Sequence, residues 1–223
     1  MVKKKSLTEI IYYRLREEIV TCAIAPSTEL SEAELAKRFD VSKTPVREAL
    51  AMLRLDGLVH TYPRRGYEVT PITLADINSL FEARTILEAG AAELACAKIS
   101  EEELASLEQL ARSEYLGESE SSLSRFIDRN RQFHLAIARA AGNERIYAML
   151  EKQLHELERF FYLGASLRNV QEETNTDHQQ IVEILATRDA NEARRAMIRH
   201  NTITRQGLLV ALTRSPEAGL LRI

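Results

Sequence analysis

Four of the five histidines in this 223-residue chain lie after residue 73, and their spacing could build a metal site. Asn130 and His134 are four apart, so both project from one face of one helix. His178 and His200 are 22 apart, with a helix break at Arg188-Asp189 between them. Roughly nine residues down one helix and ten up the next, at about 1.5 Å each, return the chain to its starting level. An antiparallel helix pair would therefore set these two histidines side by side. Three imidazoles and an oxygen suit Zn²⁺, Ni²⁺ or a similar divalent ion, with positions open for a small ligand. The alternative is three buried histidines satisfied by ordinary hydrogen bonds, and spacing alone does not decide between the two.

Arg84 belongs with this group because it falls on the apolar stripe Leu80, Leu87, Ala91 and Leu94, where an unpaired cation is costly. Glu88, one turn on, is its ordinary ion-pair partner; the other role is reception of an anionic effector's carboxylate. Asn143, after Gly142, is either a helix cap or a second effector-binding residue. Asp128 cannot replace Asn130 as a ligand, because two residues along a helix is about 200° around it. Open metal positions would also allow a helical metal-dependent enzyme fused to the N-terminal module. That reading lacks a general base: Asp177 is adjacent to His178 but points about 100° away from it.

A different chemistry is written between residues 31 and 70. Val46, Ala49, Leu50 and Leu53 recur at i, i+3, i+4 and i+7, the buried stripe of a helix. Lys43, Thr44, Arg47 and Arg54 lie off that stripe. An apolar back with a polar, basic N-terminal end is what a helix needs to enter the major groove. Lys and Arg donate to guanine O6 and N7, and Thr reaches a base edge or a phosphate. Upstream, Ser31 and Glu34 signal a capping box for a preceding helix, and Asp40-Val41-Ser42 makes a tight turn, with Ser42 as the next cap. Downstream, Leu58 to Tyr62 and Gly66 to Val69 alternate as two strands around Pro63-Arg64-Arg65. Arg64, Arg65 and Gly66 thus form the tip of a basic wing suited to backbone or minor-groove contact.

The elements around these residues are mostly helical. Leu7, Ile11, Leu15 and Ile19 form the stripe of a first helix, which Ala25-Pro26-Ser27 ends. Past Pro71 the pattern is helical throughout, with a capping box at Ser100 and Glu103 and a Ser- and Glu-rich stretch over 117–124. The fold expected is mainly α: a winged helix-turn-helix over residues 1–72, then an all-α antiparallel bundle over 73–223. Only 8 Gly and 5 Pro agree with that. Net charge is −3, but residues 1–70 carry 12 Lys and Arg against 10 Asp and Glu, whereas the remainder carries 18 against 23. The sign of this asymmetry suits an N-terminal DNA module on an acidic partner domain. Cys22 and Cys96 fit neither a disulfide framework nor a metal spacing, and no signal peptide or spanning segment is visible. A reducing cytoplasm is the expected location, without a membrane partner.

The run Leu35-Ala36, Val41-Ser42-Lys43-Thr44-Pro45-Val46-Arg47-Glu48-Ala49-Leu50, Leu53, Asp56-Gly57-Leu58-Val59 and Arg65-Gly66 resembles the DNA-binding domain of GntR-family transcription regulators. Residues 74–210 resemble the FCD ligand-binding domain of that family's FadR-type branch. The segments that carry this second resemblance are Glu82-Ala83-Arg84 with Glu88, Asn130-Arg-Gln-Phe-His134, Ala141-Gly142-Asn143, Asp177-His178 and Met197-Ile198-Arg199-His200. The first resemblance implies that Ser42, Lys43, Thr44, Arg47 and Gly66 touch double-stranded DNA. The second implies a divalent metal on Asn130, His134, His178 and His200, with a small carboxylate effector beside it. A homodimeric repressor or activator on a palindromic operator follows, since paired helix-turn-helices read half-sites in register. Three departures stand out. Lys43 replaces the family's usual Arg, which weakens bidentate guanine reading. Cys22, Ala25 and Ser27 replace glycines common around the first loop. Asn130 replaces a frequent Asp, removing one negative charge from the ligand set.

Overall fold

A computed structural model describes residues 5–62, 66–112, 120–165, 171–214 and 221–222. The chain forms two compact units, Met1–Thr73 with Gly219–Ile223, and Leu74–Ala218. In the first, α1 (Leu7–Val20) is opened by a capping box between Ser6 and Glu9 and buries Ile11, Leu15, Ile19 and Val20. After β1 (Glu29–Leu30) come α2 (Glu32–Phe39) and α3 (Lys43–Leu55). Ser31 caps α2 by accepting from the Glu34 N–H, one half of the expected box. The turn between the helices is made by Asp40 in the left-handed region, φ 53°, which Asp tolerates better than most residues. Val46, Ala49, Leu50 and Leu53 are wholly buried, so α3 packs through its expected stripe, mainly against α1.

One local expectation is corrected: Ser42 occupies the cap position of α3, but its side chain makes no capping bond among the described residues. The expected wing hairpin forms, with β2 (Val59–Tyr62) and β3 (Gly66–Val69) paired antiparallel, and β1 adds a third strand along the other edge of β3. Pro63, Arg64 and Arg65 lie outside the described residues. A short parallel pair joins β4 (Ile72–Thr73) to β5 (Leu221–Arg222).

The loop after α1 shows what replacing glycine entails. Cys22 and Ser27 adopt φ of 60° and 64°, a region that costs an L-residue about 1–2 kcal/mol. Ser27 is fixed there by its N–H donating to the Val69 carbonyl at 3.0 Å. Ser27→Gly should therefore stabilise this unit by about 0.5–1 kcal/mol after glycine's larger unfolded-state entropy is subtracted. Thermal melts of the full chain should show its transition rising by a few degrees; a fall would mean that the Ser27 side chain matters.

The second unit is helical: α4 (Leu74–Cys96), α5 (Glu101–Ala111), α6 (Glu120–Ala140), α7 (Glu144–Ala165), α8 (Gln171–Ala186) and α9 (Ala190–Arg214). The Ser100–Glu103 capping box forms as expected. Helix α4 is central and packs against α6, α7, α8 and α9. Alanines at 91, 92 and 95 let it approach closely, and its partners supply Phe133, Leu150, Leu154, Ile181, Leu185 and Met197 to one continuous core. Among the described residues no helix is long and apolar enough to cross a membrane.

Candidate functional site

Three helices bring three imidazoles together inside the second unit. His134 comes from α6, His178 from α8 and His200 from α9, and one nitrogen of each lies within 4.8 Å of the others. All three are buried. Ring centroids are 4.9 to 5.3 Å apart, and Phe133 stacks on His178 at 3.9 Å. Burial pushes the His134 imidazole down to about 4, with Glu88 opposing the shift and Arg84 adding to it. Burial, then His200 and His134, carries His178 well below its ordinary value. His134 and His178 are therefore neutral at pH 7, the form in which imidazole binds a metal. His178 Nε2 is buried with no hydrogen-bond partner among the described residues. That nitrogen within a buried set of three imidazoles fits a divalent ion better than a cluster satisfied by ordinary hydrogen bonds. Asn130 lies on α6 one turn before His134, and its side chain is half-buried.

Arg84 and Glu88 form a wholly buried ion pair on α4, Nε to Oε1 3.0 Å. Their contacts extend further than one turn of helix. Arg84 Nη2 lies 2.8 Å from His134 Nε2, and Glu88 Oε1 lies 3.1 Å from His134 Nδ1, close but not aligned as a hydrogen bond. Asn201 Nδ2 donates to Glu88 Oε2 at 2.9 Å. Burial alone would raise the Glu88 carboxyl; Arg84, His134 and the Asn201 bond outweigh that and hold it well below the usual carboxylate range. Arg84 also lies over the rings of Phe81 and Phe161, and its Nη1 is buried without a hydrogen-bond partner among the described residues.

Sequence reasoning missed two members of this network. Asn201, next to His200, carries no chemical signal of its own. Asp177 Oδ2 lies 3.3 Å from His200 Nδ1. The orientation that takes Asp177 away from its neighbour His178 is what aims it at His200. Of the two roles expected of Asn143, the structure displays the helix cap: its Oδ1 accepts from the N–H groups of Arg145 and Ile146 at 3.1 and 3.3 Å, and the residue is exposed.

In the first unit, Ser42, Lys43, Thr44 and Arg47 are all exposed at the start of α3, on the side away from its buried stripe. Gly66, which opens β3, has φ 89°, a conformation glycine adopts without strain. Arg47 is held: Glu32 on α2 accepts from its Nε at 3.0 Å and its Nη2 at 2.8 Å.

Two helices crossed by a tight turn, a three-stranded wing and an exposed polar helix start define a winged helix-turn-helix protein. The family model described as bacterial regulatory proteins, gntR family, matches residues 7–69, and the FCD domain model matches 79–202. The chain belongs to the GntR family of transcription regulators, with an FCD domain following its DNA-binding domain, and is a DNA-binding regulator rather than an enzyme. The HTH-type transcriptional repressor RspR of Escherichia coli K12 is 32% identical over 190 residues, covering 85% of this chain and 83% of that protein. The repressor GlaR of the same organism is 28% identical over 204 residues, covering 87% and 93%. Among solved structures, E. coli McbR/YncC superposes with TM-score 0.72 at 21% identity, covering 93% of this chain and 99% of that one. A GntR-family regulator from Pseudomonas syringae pv. tomato DC3000 gives 0.55 at 27% identity, covering 96% and 88%.

Proposed function

We propose that this regulator is a cytoplasmic homodimeric repressor whose FCD domain senses a small organic acid beside a divalent metal. Residues 1–72 act on DNA and 73–223 sense and dimerise. Ser42, Lys43, Thr44 and Arg47 read the major groove of a palindromic operator, and Gly66 lets the wing approach the backbone. Repression is the sign named for two relatives, RspR and GlaR.

The observation that carries the sensing half is the buried cluster of three imidazoles beside an arginine with one guanidinium nitrogen unpartnered among the described residues. His134, His178 and His200, with the Asn130 carbonyl oxygen, would hold Zn²⁺ or Ni²⁺. The ion would supply Lewis-acid coordination to a carboxylate. Charge balance then favours an anion. A dication and Arg84 make three positive charges against the two of Glu88 and Asp177, and His134, His178 and Asn130 add none. Arg84 Nη1 supplies the hydrogen bonds that orient such a ligand. A ligand changes DNA affinity only as far as it prefers one arrangement of the dimer.

Metal analysis of protein purified without chelator or nickel resin should find close to one divalent ion per chain, and His178→Asn should remove it. Succinate, a simple dicarboxylate probe, should raise the melting temperature of the zinc-loaded protein and not of the Arg84→Met variant. A metal-free protein with an intact effector response would overturn this reading.

A further inference from the structure

We propose that Glu32 is a positioning residue for base recognition: its carboxylate holds Arg47 side-on, so that only the end-on edge of the guanidinium is presented to DNA. The inference rests on the reading above that Arg47 meets the major groove, and adds a residue that pattern and charge would assign to the wrong side of that interaction. A carboxylate at a DNA-facing surface repels phosphate, so its presence there calls for an explanation.

The geometry supplies one. Glu32 is the first residue of α2 and Arg47 the fifth of α3, so the pair ties the two helices of the motif across their turn. The carboxylate accepts from Nε at 3.0 Å and Nη2 at 2.8 Å, the paired side-on geometry of arginine with a carboxylate. This uses two of the five N–H groups of a guanidinium. The remaining edge, Nη1 with the second hydrogen of Nη2, is the fork that spans guanine O6 and N7. The Glu32 side chain is only 23% exposed against 63% for Arg47, so the anion sits inward and the cation outward. Arg47 and, more weakly, Lys43 lower the Glu32 carboxyl, so it stays charged.

Two consequences follow for DNA. A buttressed arginine has already lost the rotamer freedom that a free one gives up on binding. It also cannot swing to the nearest phosphate without leaving its carboxylate. Glu32 therefore biases Arg47 toward a base edge and against sequence-independent contact. Its effect falls on discrimination, not on total affinity. Lys43, a flexible point charge where the family usually has Arg, makes this bias more important in this chain.

The test uses full-length protein and two duplexes: one selected from a random pool by the wild type, and a scramble of the same composition. Affinities are measured by fluorescence anisotropy across several salt concentrations for wild type, Glu32→Gln, Arg47→Gln and the double variant. Glu32→Gln should bind the scramble several-fold more tightly and the selected duplex more weakly, so that the ratio falls about tenfold. The salt slope on the scramble should steepen by about one as Arg47 turns to phosphate. Arg47→Gln should also lower the ratio, and the double variant should go no further than Arg47→Gln alone. If Arg47→Gln collapses the ratio while Glu32→Gln leaves it within twofold of wild type, the inference fails and the groove reading stands. If neither variant changes the ratio, both fail. The folded state is not at risk, since an exposed ion pair contributes little to stability, and unchanged melting temperatures would verify this.

Discussion

Arg84→Met is expected to destabilise the FCD domain by about 3–5 kcal/mol, the range seen when one partner of a buried ion pair is removed. Folded domains hold only about 5–15 kcal/mol in total, so this is a large fraction. The cause is what remains behind. Glu88 is 1% exposed, and its charge is held chiefly by Arg84, with His134 and Asn201 assisting. With Arg84 gone, Glu88 must either stay ionised without its main partner or take up a proton. Methionine keeps the contact with Phe81 and Phe161, so lost packing is a minor part of the effect. The discriminating control is Arg84→Met with Glu88→Leu. Removing both charges is often close to neutral, so the double variant should recover much of the loss in urea unfolding of the full chain. A double variant as unstable as Arg84→Met would show that the pair is not the source.

How much of this could be read in advance depended on the range of each contact. Local periodicity carried the helices: the Val46-to-Leu53 stripe is wholly buried, and the Ser100 cap forms as its spacing implies. The pairing of His178 and His200 was legible because a short turn joins α8 to α9 and the two helices pack together; His134, on α6, was brought to them only by the family resemblance. Contacts between residues far apart in sequence were not. Glu88 and Asn201 are 113 residues apart, and nothing in their local sequence pairs them. Glu32 reaches Arg47 across a turn whose geometry is set by the left-handed Asp40, so the acid reads from sequence as an ordinary favourable charge at a helix N-terminus. Strand β1 has two residues, too few for any alternation to show. Asn143 was ambiguous for a different reason: a cap and a pocket amide ask for the same residue type, and only its bonds to Arg145 and Ile146 separate them.

The same burial that prepares the histidines for a metal should make the domain acid-labile, beginning well above the carboxylate range. His134 titrates near 4 in the folded chain and His178 well below its ordinary value, whereas both return to about 6.5 on unfolding. A folded-state value below the unfolded one means that the unfolded chain binds protons first. Stability is then fully present above pH 6.5 and is lost as pH falls toward 4. For His134 alone the loss amounts to about 3 kcal/mol, and His178 acts in the same direction. Glu88, also depressed, adds its loss only below its ordinary value of 4.5, so two stages separate on the pH axis. Urea unfolding of metal-free protein should show stability falling between pH 6.5 and 4.5, and His134→Asn should flatten part of that slope. Zinc provides an independent check. Within the folded domain protons compete poorly for His134 and His178 at pH 5.5, so zinc should still raise the melting temperature there. A site built of exposed histidines would lose that effect as pH drops below 6.5. A flat stability profile between pH 7 and 4.5 would show that His134 and His178 are not the neutral donors their burial implies.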